Sequence, residues 1–254
     1  MAITIKSERE IELMAEAGKI LERVHNELEK ALHPGMSTKD IGTLGEKIIR
    51  SYGCIPSFLN YNGYPASICV SVNQEVVHGI PDKHRIIHEG DIVSLDAGVI
   101  YKGYHSDAAR THAVGEVSEE AKKLIQVTKE CFFEGIKYAK AGNHLFDISG
   151  AIGRYAEERG YGVVRDLCGH GIGTALHEAP EIPNYEVGRK GVKLRPGMTL
   201  AIEPMINIGT YEVDWLDDDW TVVTRDGSLS AHYENTILIT EGEPRILSLT
   251  CDNE

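Results

Sequence analysis

Apolar side chains recur at helical spacing near the start of the chain and at strand spacing in its middle. Ser7 followed by Glu10 is a capping-box pattern, and apolar residues then repeat every three or four positions until an HPG sequence. The pattern predicts one helix that begins near residue 8 and ends before HPG, and a second helix over about 38–52. Runs of β-branched residues broken by turn residues predict strands at 66–78, 91–100 and 104–114.

Helical spacing returns in the second half of the chain. It predicts helices from 118 to about 140 and from 145 to about 159, ended by Gly142 and Gly160, and mainly strands from 162 onward. No low-complexity segment and no linker rich in Pro, Gly and Ser separates two cores. We therefore expect a single α+β domain over residues 1–254.

A faint internal repeat relates the two halves. The segment GDIVSLD at 90–96 matches GMTLAIE at 197–203, so Asp96 falls on Glu203. Four residues of the first half reappear in the second half, displaced along the chain by the same number of positions as these two segments: Gly35, Asp40, Ile41 and Gly53 as Gly142, Asp147, Ile148 and Gly160. Chance similarity between Gly-rich stretches is the alternative. The preferred hypothesis is two halves of similar build, at about 8–115 and 118–242, with two carboxylates from each in a shared cleft.

Two aspartates interrupt the predicted strands of SLDAGVIYKGYHSDAART, residues 94–111. Strand interiors disfavour Asp, and a buried carboxylate needs a proton, a cation or several donors. A two-residue turn at Lys102–Gly103, or one at 101–102, would bring Asp96 and Asp107 to one face of the hairpin. An odd-numbered loop would separate them. The alternatives to a shared ion are pairing of an aspartate with Arg110 and exposure of the carboxylate to solvent.

Further candidate ligands lie in apolar surroundings later in the chain. CGHGIGTALHE at 168–178 carries His170 and His177 among glycines, and Glu203 and Glu234 interrupt apolar strand runs. GHGIG lacks the spacing of a dinucleotide-binding loop. Cys168 is interpreted as a small buried residue, because no cysteine partner for a metal lies nearby.

Four carboxylates and one imidazole exceed the needs of one metal ion. Two divalent ions held by bridging carboxylates need about this set: Asp96, Asp107, His170, Glu203 and Glu234. Ligation by oxygen and one nitrogen, without thiolate, suits Mn, Fe or Co, with Zn also acceptable. Such a pair activates water at neutral pH and polarises a carbonyl, so the residues alone favour a dinuclear metallohydrolase.

Composition and charge exclude several other classes. Hydrophobic residues make up 42% and charged residues 26% of 254 positions, as in ordinary globular proteins. A net charge of −13 without a Lys/Arg cluster disfavours nucleic acid as a partner, and no apolar run is long enough to span a membrane. The N-terminus lacks the layout of a signal peptide, and five scattered cysteines without a CxxC motif predict reduced thiols in the cytoplasm.

The five candidate ligands, together with CGHGIG and IEPM, resemble the type I methionine aminopeptidases, a branch of the M24 metallopeptidases, over residues 7–249. The resemblance implies the pita-bread fold, with two pseudo-symmetric halves around a central antiparallel sheet. It implies removal of the N-terminal methionine from nascent proteins and peptides when the second residue is small. It also implies two divalent metal ions, with Co, Mn, Fe or Zn all possible.

The resemblance also implies roles for individual residues. Asp96 would hold one metal, His170 with Glu203 the other, and Asp107 and Glu234 would bridge them. Glu203 would also shuttle a proton for the attacking water. His177 would stabilise the tetrahedral intermediate, and His78 would contact the substrate backbone. A pocket for the methionine side chain would be formed by Phe58, Tyr61, Tyr64, Cys69, Leu176 and Trp220, of which Phe58 and Leu176 depart from the usual residue types of the family.

Subtype and competing functions follow from lengths along the chain. Only 31 positions separate Glu203 from Glu234, which leaves no room for the helical insertion of type II relatives. The N-terminal zinc-binding extension of many eukaryotic type I forms is also missing from this sequence, so a short bacterial-type enzyme is expected. A Xaa-Pro aminopeptidase or prolidase shares the ligands but usually carries a large N-terminal domain. A non-catalytic relative would typically have lost ligands. We expect a monomer without direct nucleic-acid or membrane contacts, and transient association with the ribosome is left open.

Overall fold

A computed structural model describes residues 3–249, so residues 1–2 and 250–254, including Cys251, lie outside the described residues. The helices of the described part are α1 (Glu8–Ala31), α2 (Thr38–Ser51), α3 (Glu119–Ile136) and α4 (Leu145–Glu157). The strands are β1 (Ile55–Pro56), β2 (Ile68–Val72), β3 (Glu75–Val77), β4 (Ile92–Tyr101), β5 (Tyr104–Ala113), β6 (Gly162–Val163), β7 (Gly169–Gly171), β8 (Glu178–Ile182), β9 (Thr199–Ile202), β10 (Met205–Asn207), β11 (Val213–Trp215), β12 (Val222–Thr224), β13 (Ser230–His232), β14 (Glu234–Leu238) and β15 (Arg245–Ile246).

The four predicted helices are confirmed, and their first turns are capped as the sequence indicates. The backbone N–H of Ser7 donates to Glu10 Oε2 at 2.7 Å, and Ser118 Oγ accepts from the backbone of Ala121 at 3.1 Å. Helix α3 ends at Ile136 rather than near 140, so that boundary was wrong. The chain tightens there because the next backbone N–H groups bond to carbonyls three residues back instead of four.

The predicted strand over 66–78 is wrong as a single element. It forms two strands, β2 and β3, separated by a turn in which Asn73 adopts a left-handed conformation with φ of 57°. Asn tolerates this region better than most residues, and its side chain is held there by hydrogen bonds to Asp91 and to the backbone of Ile92. Every regular element among residues 162–249 is a strand, as predicted, although turns and loops account for more than half of these described positions.

One nine-stranded antiparallel sheet forms the centre of the molecule. Its main order is β1-β4-β5-β14-β9-β7-β8, with β2 also paired to β4 and β15 to β14. Two three-stranded sheets lie beside it, in the orders β13-β10-β6 and β11-β12-β3. The hairpin β4–β5 thus adjoins β14 and β9 at the middle of the sheet. This order suits the proposed repeat, although the equivalence of two halves within one domain stays a prediction.

Two apolar clusters hold the helices against the sheet. Helices α1 and α2 pack over β2 and β4 through buried side chains such as Leu21 and Ile49, while α3 and α4 pack near β9 and β14 through Phe132 and Ile148. The helices thus cover the central strands with a close-packed apolar layer. No helix among residues 3–249 combines the length and apolar character needed to cross a membrane, and the four described cysteines are free thiols.

Candidate metal centre and substrate cavity

The turn of the β4–β5 hairpin decides where its two aspartates point. Tyr101 pairs with Tyr104, so the loop consists of Lys102 and Gly103, with φ of 48° and 85°. Two consecutive residues with positive φ form the kind of turn that matches the twist of antiparallel strands. The first of the two even-numbered alternatives is therefore confirmed.

Asp96 and Asp107 consequently lie on the same face of the sheet. Asp96 is opposite Ala109 and Asp107 is opposite Gly98, an offset of two residues that preserves the face. The side chain of Arg110 points away from both carboxylates and bonds to β14 instead. Pairing of the aspartates with Arg110, which the sequence left open, is therefore excluded.

Neighbouring strands bring the other three candidate ligands to the same place. Glu234 at the start of β14 is opposite Ala109, which also faces Asp96. His170 on β7 is opposite Ala201 on β9, and Glu203 follows directly after β9. Five residues that are up to 138 positions apart in sequence thus meet at the centre of the sheet, all within one cavity.

Three of the five side chains come within ligand distance of one another, and Asp96 and Glu203 line the same cavity. One ligand atom each from Asp107, His170 and Glu234 lies within 4.8 Å of the other two. His170 Nε2 is 3.6 Å from Glu203 Oε1 and 3.9 Å from Asp107 Oδ2. Asp96 belongs to the same group, since its charge raises the pKa of Asp107, Glu203 and Glu234.

Hydrogen bonding prepares His170 to act as a ligand. Its Nδ1 is 2.9 Å from the carbonyl of Gly171, which can only accept, so Nδ1 carries the proton. Nε2 is then an unprotonated nitrogen facing the carboxylates, the form in which imidazole binds metals. Burial lowers the pKa of His170 to about 3, which keeps the ring neutral.

The carboxylates lack the partners that buried charges require. Asp96 Oδ1, Asp107 Oδ1 and Glu234 Oε1 are buried without a hydrogen-bond partner. Burial raises the pKa of Asp96 to about 7 and raises the pKa of Asp107, Glu203 and Glu234 well above the ordinary range, with mutual repulsion adding to it. Four acids around one neutral imidazole, three of them with an orphaned oxygen, fit divalent cations, which would supply the missing positive charge.

A cavity of about 640 Å³ opens over this cluster. The six residues expected to form the methionine pocket all line it: Phe58, Tyr61, Tyr64, Cys69, Leu176 and Trp220. Tyr64 and Trp220 meet edge to face with ring centroids 5.1 Å apart, which gives the apolar part of the cavity a rigid aromatic wall. The cavity therefore combines an apolar pocket with an acidic floor.

His78 and His177 lie on the wall of the cavity between these two parts. The His177 ring is 4.2 Å from that of His170 and 5.2 Å from that of Tyr61. His78 follows β3 with φ of 60°, a left-handed conformation that is unusual for a residue other than Gly or Asn and is typical of functional sites. Burial lowers its pKa to about 4, so its ring is neutral at physiological pH.

Sequence reasoning missed the residues that support β14. Arg110 donates to the carbonyl of Glu234 and, at 2.6 Å, to Asn235 Oδ1, while its guanidinium lies 4.5 Å from the centre of the Tyr233 ring. Asn235 also accepts from Ser248 at 3.0 Å. Arg110 and Asn235 thus fix the backbone that carries Glu234. The available signal in the sequence was that Arg110 and Asn235 lie on the same strands as Asp107 and Glu234 but at positions that face the other side of the sheet.

Two further residues of the site, Cys168 and His232, were not predicted correctly from the sequence. Cys168 is not fully buried, because it lies on the cavity wall where β7 begins, and the prediction of a simple buried residue was wrong. His232 is fully buried with both ring nitrogens unpartnered, and its Nε2 lies 3.7 Å from Glu203 Oε2. A histidine in a strand run has no local feature that marks such a position.

Comparison with known proteins identifies relatives that share this architecture. The model of metallopeptidase family M24 matches residues 12–241. A methionine aminopeptidase of Clostridium acetobutylicum is 58% identical over 247 residues, which is 97% of this chain and 99% of the relative. The crystal structure of methionine aminopeptidase from Thermotoga maritima superposes with a TM-score of 0.95 at 47% identity, covering 98% of this chain and all of that one. A Xaa-Pro dipeptidase from Bacillus anthracis has a TM-score of 0.78 at 27% identity, and 62% of that chain is covered.

Proposed function

Because this chain belongs to metallopeptidase family M24, we propose that its five clustered side chains hold the divalent metal ions of an aminopeptidase. The pita-bread fold expected from the sequence is confirmed. The chain is a metal-dependent hydrolase that removes the N-terminal methionine from proteins and peptides. We propose that it does so preferentially when the second residue is small. We further propose a role for each residue of the site and the presence of two metal ions.

We assign the ligands by their places on the strands. Asp96 would hold one ion, His170 and Glu203 the other, and Asp107 and Glu234 at the centre of the cluster would bind both. When bound, the ions polarise the carbonyl of the first peptide bond and lower the pKa of the water that attacks it. The orphaned carboxylate oxygens are the observation that supports this assignment.

Glu203 would move the proton of the reaction. It lies at the end of β9 beside His170, where its carboxylate can accept a proton from the attacking water and pass it to the departing amine nitrogen. Burial and the charges of Asp107 and Asp96 raise the pKa of Glu203 well above the ordinary range in the metal-free protein, and a bound cation would lower it again by favouring the carboxylate. One residue would thus serve as ligand and as general base.

His177 and His78 would stabilise and orient the substrate. His177, above His170, would donate a hydrogen bond to the carbonyl oxygen as negative charge develops there. His78 would contact the substrate backbone on the leaving-group side, and the aromatic wall of Tyr64 and Trp220 would enclose the methionine side chain. A confined cavity explains the limit on the second residue, because a long side chain would collide with the wall.

We also propose that a single copy of the chain acts on nascent chains in the cytoplasm. All five candidate ligands and all six pocket residues come from one chain, so no second copy is needed to complete the site. Transient association with ribosomes would bring the enzyme to its substrate. Sedimentation of the purified protein should give the mass of a monomer, and co-sedimentation with translating ribosomes tests the association.

The direct test is methionine release from a Met-Ala-Ser peptide by chelator-stripped protein, before and after addition of Mn or Co. Activity that requires metal and saturates at two equivalents supports the proposal, and saturation at one equivalent would contradict two ions acting together. Asp107→Ala and Glu234→Ala should each abolish release and, in calorimetric titrations, reduce Mn binding. Cleavage of a Xaa-Pro peptide instead would favour the prolidase alternative. Turnover of neither peptide would favour a binding protein.

A further inference from the structure

Glu178 closes the turn that carries His177. Its Oε1 accepts hydrogen bonds from the backbone N–H groups of Thr174 at 3.0 Å and Ala175 at 3.4 Å. The carboxylate therefore folds back over the preceding residues in the way that a capping side chain does. His177 lies between these two backbone groups and Glu178, so the carboxylate closes the turn on both sides of His177.

The other oxygen of Glu178 binds the N-terminal segment of the chain. Oε2 accepts from Lys6 Nζ at 2.6 Å and from Thr4 Oγ1 at 2.5 Å. The side chains of Lys6 and Glu178 are only 5% and 11% exposed, so this is a buried ion pair between residues 172 positions apart. Burial alone would raise the pKa of Glu178, but the hydrogen bonds from Lys6 and Thr4 outweigh it and leave the pKa below its ordinary value.

Both side chains of the pair pack closely against Gly173. A Cβ atom at Gly173 would overlap Glu178 Oε1 and Lys6 Cε and Nζ, so a larger residue there would displace the ends of both side chains. The backbone N–H of Lys6 donates to the carbonyl of Gly197 at 2.8 Å, which fixes the N-terminal segment independently of its side chain. The last glycine of the GHGIG motif thus leaves room for the ion pair.

The turn held in this way presents two residues of the active site. Leu176 is part of the apolar pocket, and the His177 ring lies against His170 and Tyr61. The turn is also tied to β5, since the backbone N–H of His105 donates to the carbonyl of Gly173 at 2.8 Å. The C-terminal end of the turn is held by Glu178, so the position of His177 depends on the ion pair of Glu178 with Lys6.

We propose that Lys6 and Glu178 are positioning residues that hold His177 in place to stabilise the transition state. The inference rests on the role of His177 proposed above. Lys6 does not line the cavity, and Glu178 lines it but uses both carboxylate oxygens on Lys6, Thr4 and the turn backbone. Displacing a catalytic group by about 1 Å can cost on the order of 100-fold in rate, so loss of the pair should act on kcat.

The first test compares Lys6→Met with Lys6→Arg and with a matched control. Lys6→Met keeps the length of the side chain but removes its charge, and should lower kcat for Met-Ala-Ser by about 10-fold or more with a smaller change in KM. Lys6→Arg should restore most of the rate. Lys19→Met makes the same substitution in an exposed ion pair, that of Lys19 with Glu16, and should leave kcat unchanged. Mn affinity by calorimetry should be the same in all four proteins, since the turn carries no proposed ligand.

The second test asks whether Lys6 acts through His177. In a His177→Ala background, Lys6→Met should lower kcat by no more than about 2-fold, because the group that it positions is already missing. An equal loss with and without His177 would mean a general structural effect and would overturn the proposal, as would a wild-type rate in Lys6→Met. If Lys6→Met does not fold by circular dichroism, Glu178→Gln provides the same comparison. An inactive wild type would instead count against the proposed function.

Discussion

Replacing Asp107 with asparagine should stabilise the metal-free protein and remove most of the stability that it gains from metal. Asp107 is buried among three other acids, and its Oδ1 has no hydrogen-bond partner. Burial raises its pKa, and the neighbouring charge of Asp96 raises it further, so the carboxylate is unfavourable without a cation. Asparagine has nearly the same shape without the charge.

The distances set the size of the effect. Ligand oxygens of Asp107 and Glu234 lie within 4.8 Å of each other. Two full charges at that separation repel by about 3–4 kcal/mol at an effective dielectric constant of about 20. Because the raised pKa values leave part of the cluster protonated at neutral pH, we expect a gain of about 1–3 kcal/mol in the free energy of unfolding. Saturating metal at about 1,000 times its Kd should stabilise the wild type by about 4 kcal/mol and the variant by less than half of that.

Urea denaturation at about pH 7.5, in EDTA and in excess Mn, measures both quantities. Asp217→Asn is the matched control, because it makes the same change at an exposed aspartate and should shift neither midpoint. A variant that is less stable than wild type in EDTA would refute the argument from repulsion. A variant with the full gain from Mn would refute the role of Asp107 as a shared ligand.

Three further predictions concern residues around the site and in the core. Arg110→Met should leave the Glu234 carbonyl unpaired, destabilise the protein by about 1–3 kcal/mol in urea and weaken Mn binding in calorimetry by about 10-fold or more. Trp220→Ala should raise KM for Met-Ala-Ser by about 10-fold or more while Mn affinity stays the same, since the ring packs against Tyr64 and His78 and against none of the proposed ligands. Burial holds the pKa of His25 well below its ordinary value, so the unfolded state binds more protons at acidic pH. The contribution of His25 to stability should therefore be lost as pH drops below about 6.5, so His25→Gln should make the slope of stability against pH less positive than that of wild type by up to about 1.4 kcal/mol per pH unit, measured by urea denaturation of both proteins in EDTA.

Local patterns determined most of the helices and the two strands that carry the aspartates. The capping box at Ser7 and the apolar spacing behind it are properties of adjacent residues, so the sequence displays them directly. The single predicted strand over 66–78 failed because one residue, Asn73, adopts a left-handed conformation supported by Asp91, a partner 18 positions away. Alternation alone cannot reveal a turn that depends on a distant partner.

The five candidate ligands could be named from the sequence because acids and a histidine are conspicuous in apolar strands. Whether Asp96 and Asp107 share a face depended on the turn, and the sequence left an even or an odd loop open. The observed pairing of Tyr101 with Tyr104 decided it. Their roles as ligands stay a prediction, although the meeting of all five in one cavity supports them.

Only the tertiary structure decided how the site is supported. The proton on His170 Nδ1, the bonds of Arg110 to β14 and the buried pair of Lys6 with Glu178 all depend on which backbone or side chain lies across a gap. Local periodicity records which face of an element is buried, because that depends on neighbours three, four or two positions away. It does not record which distant atom completes a hydrogen bond, since that is set by the packing of whole elements against one another.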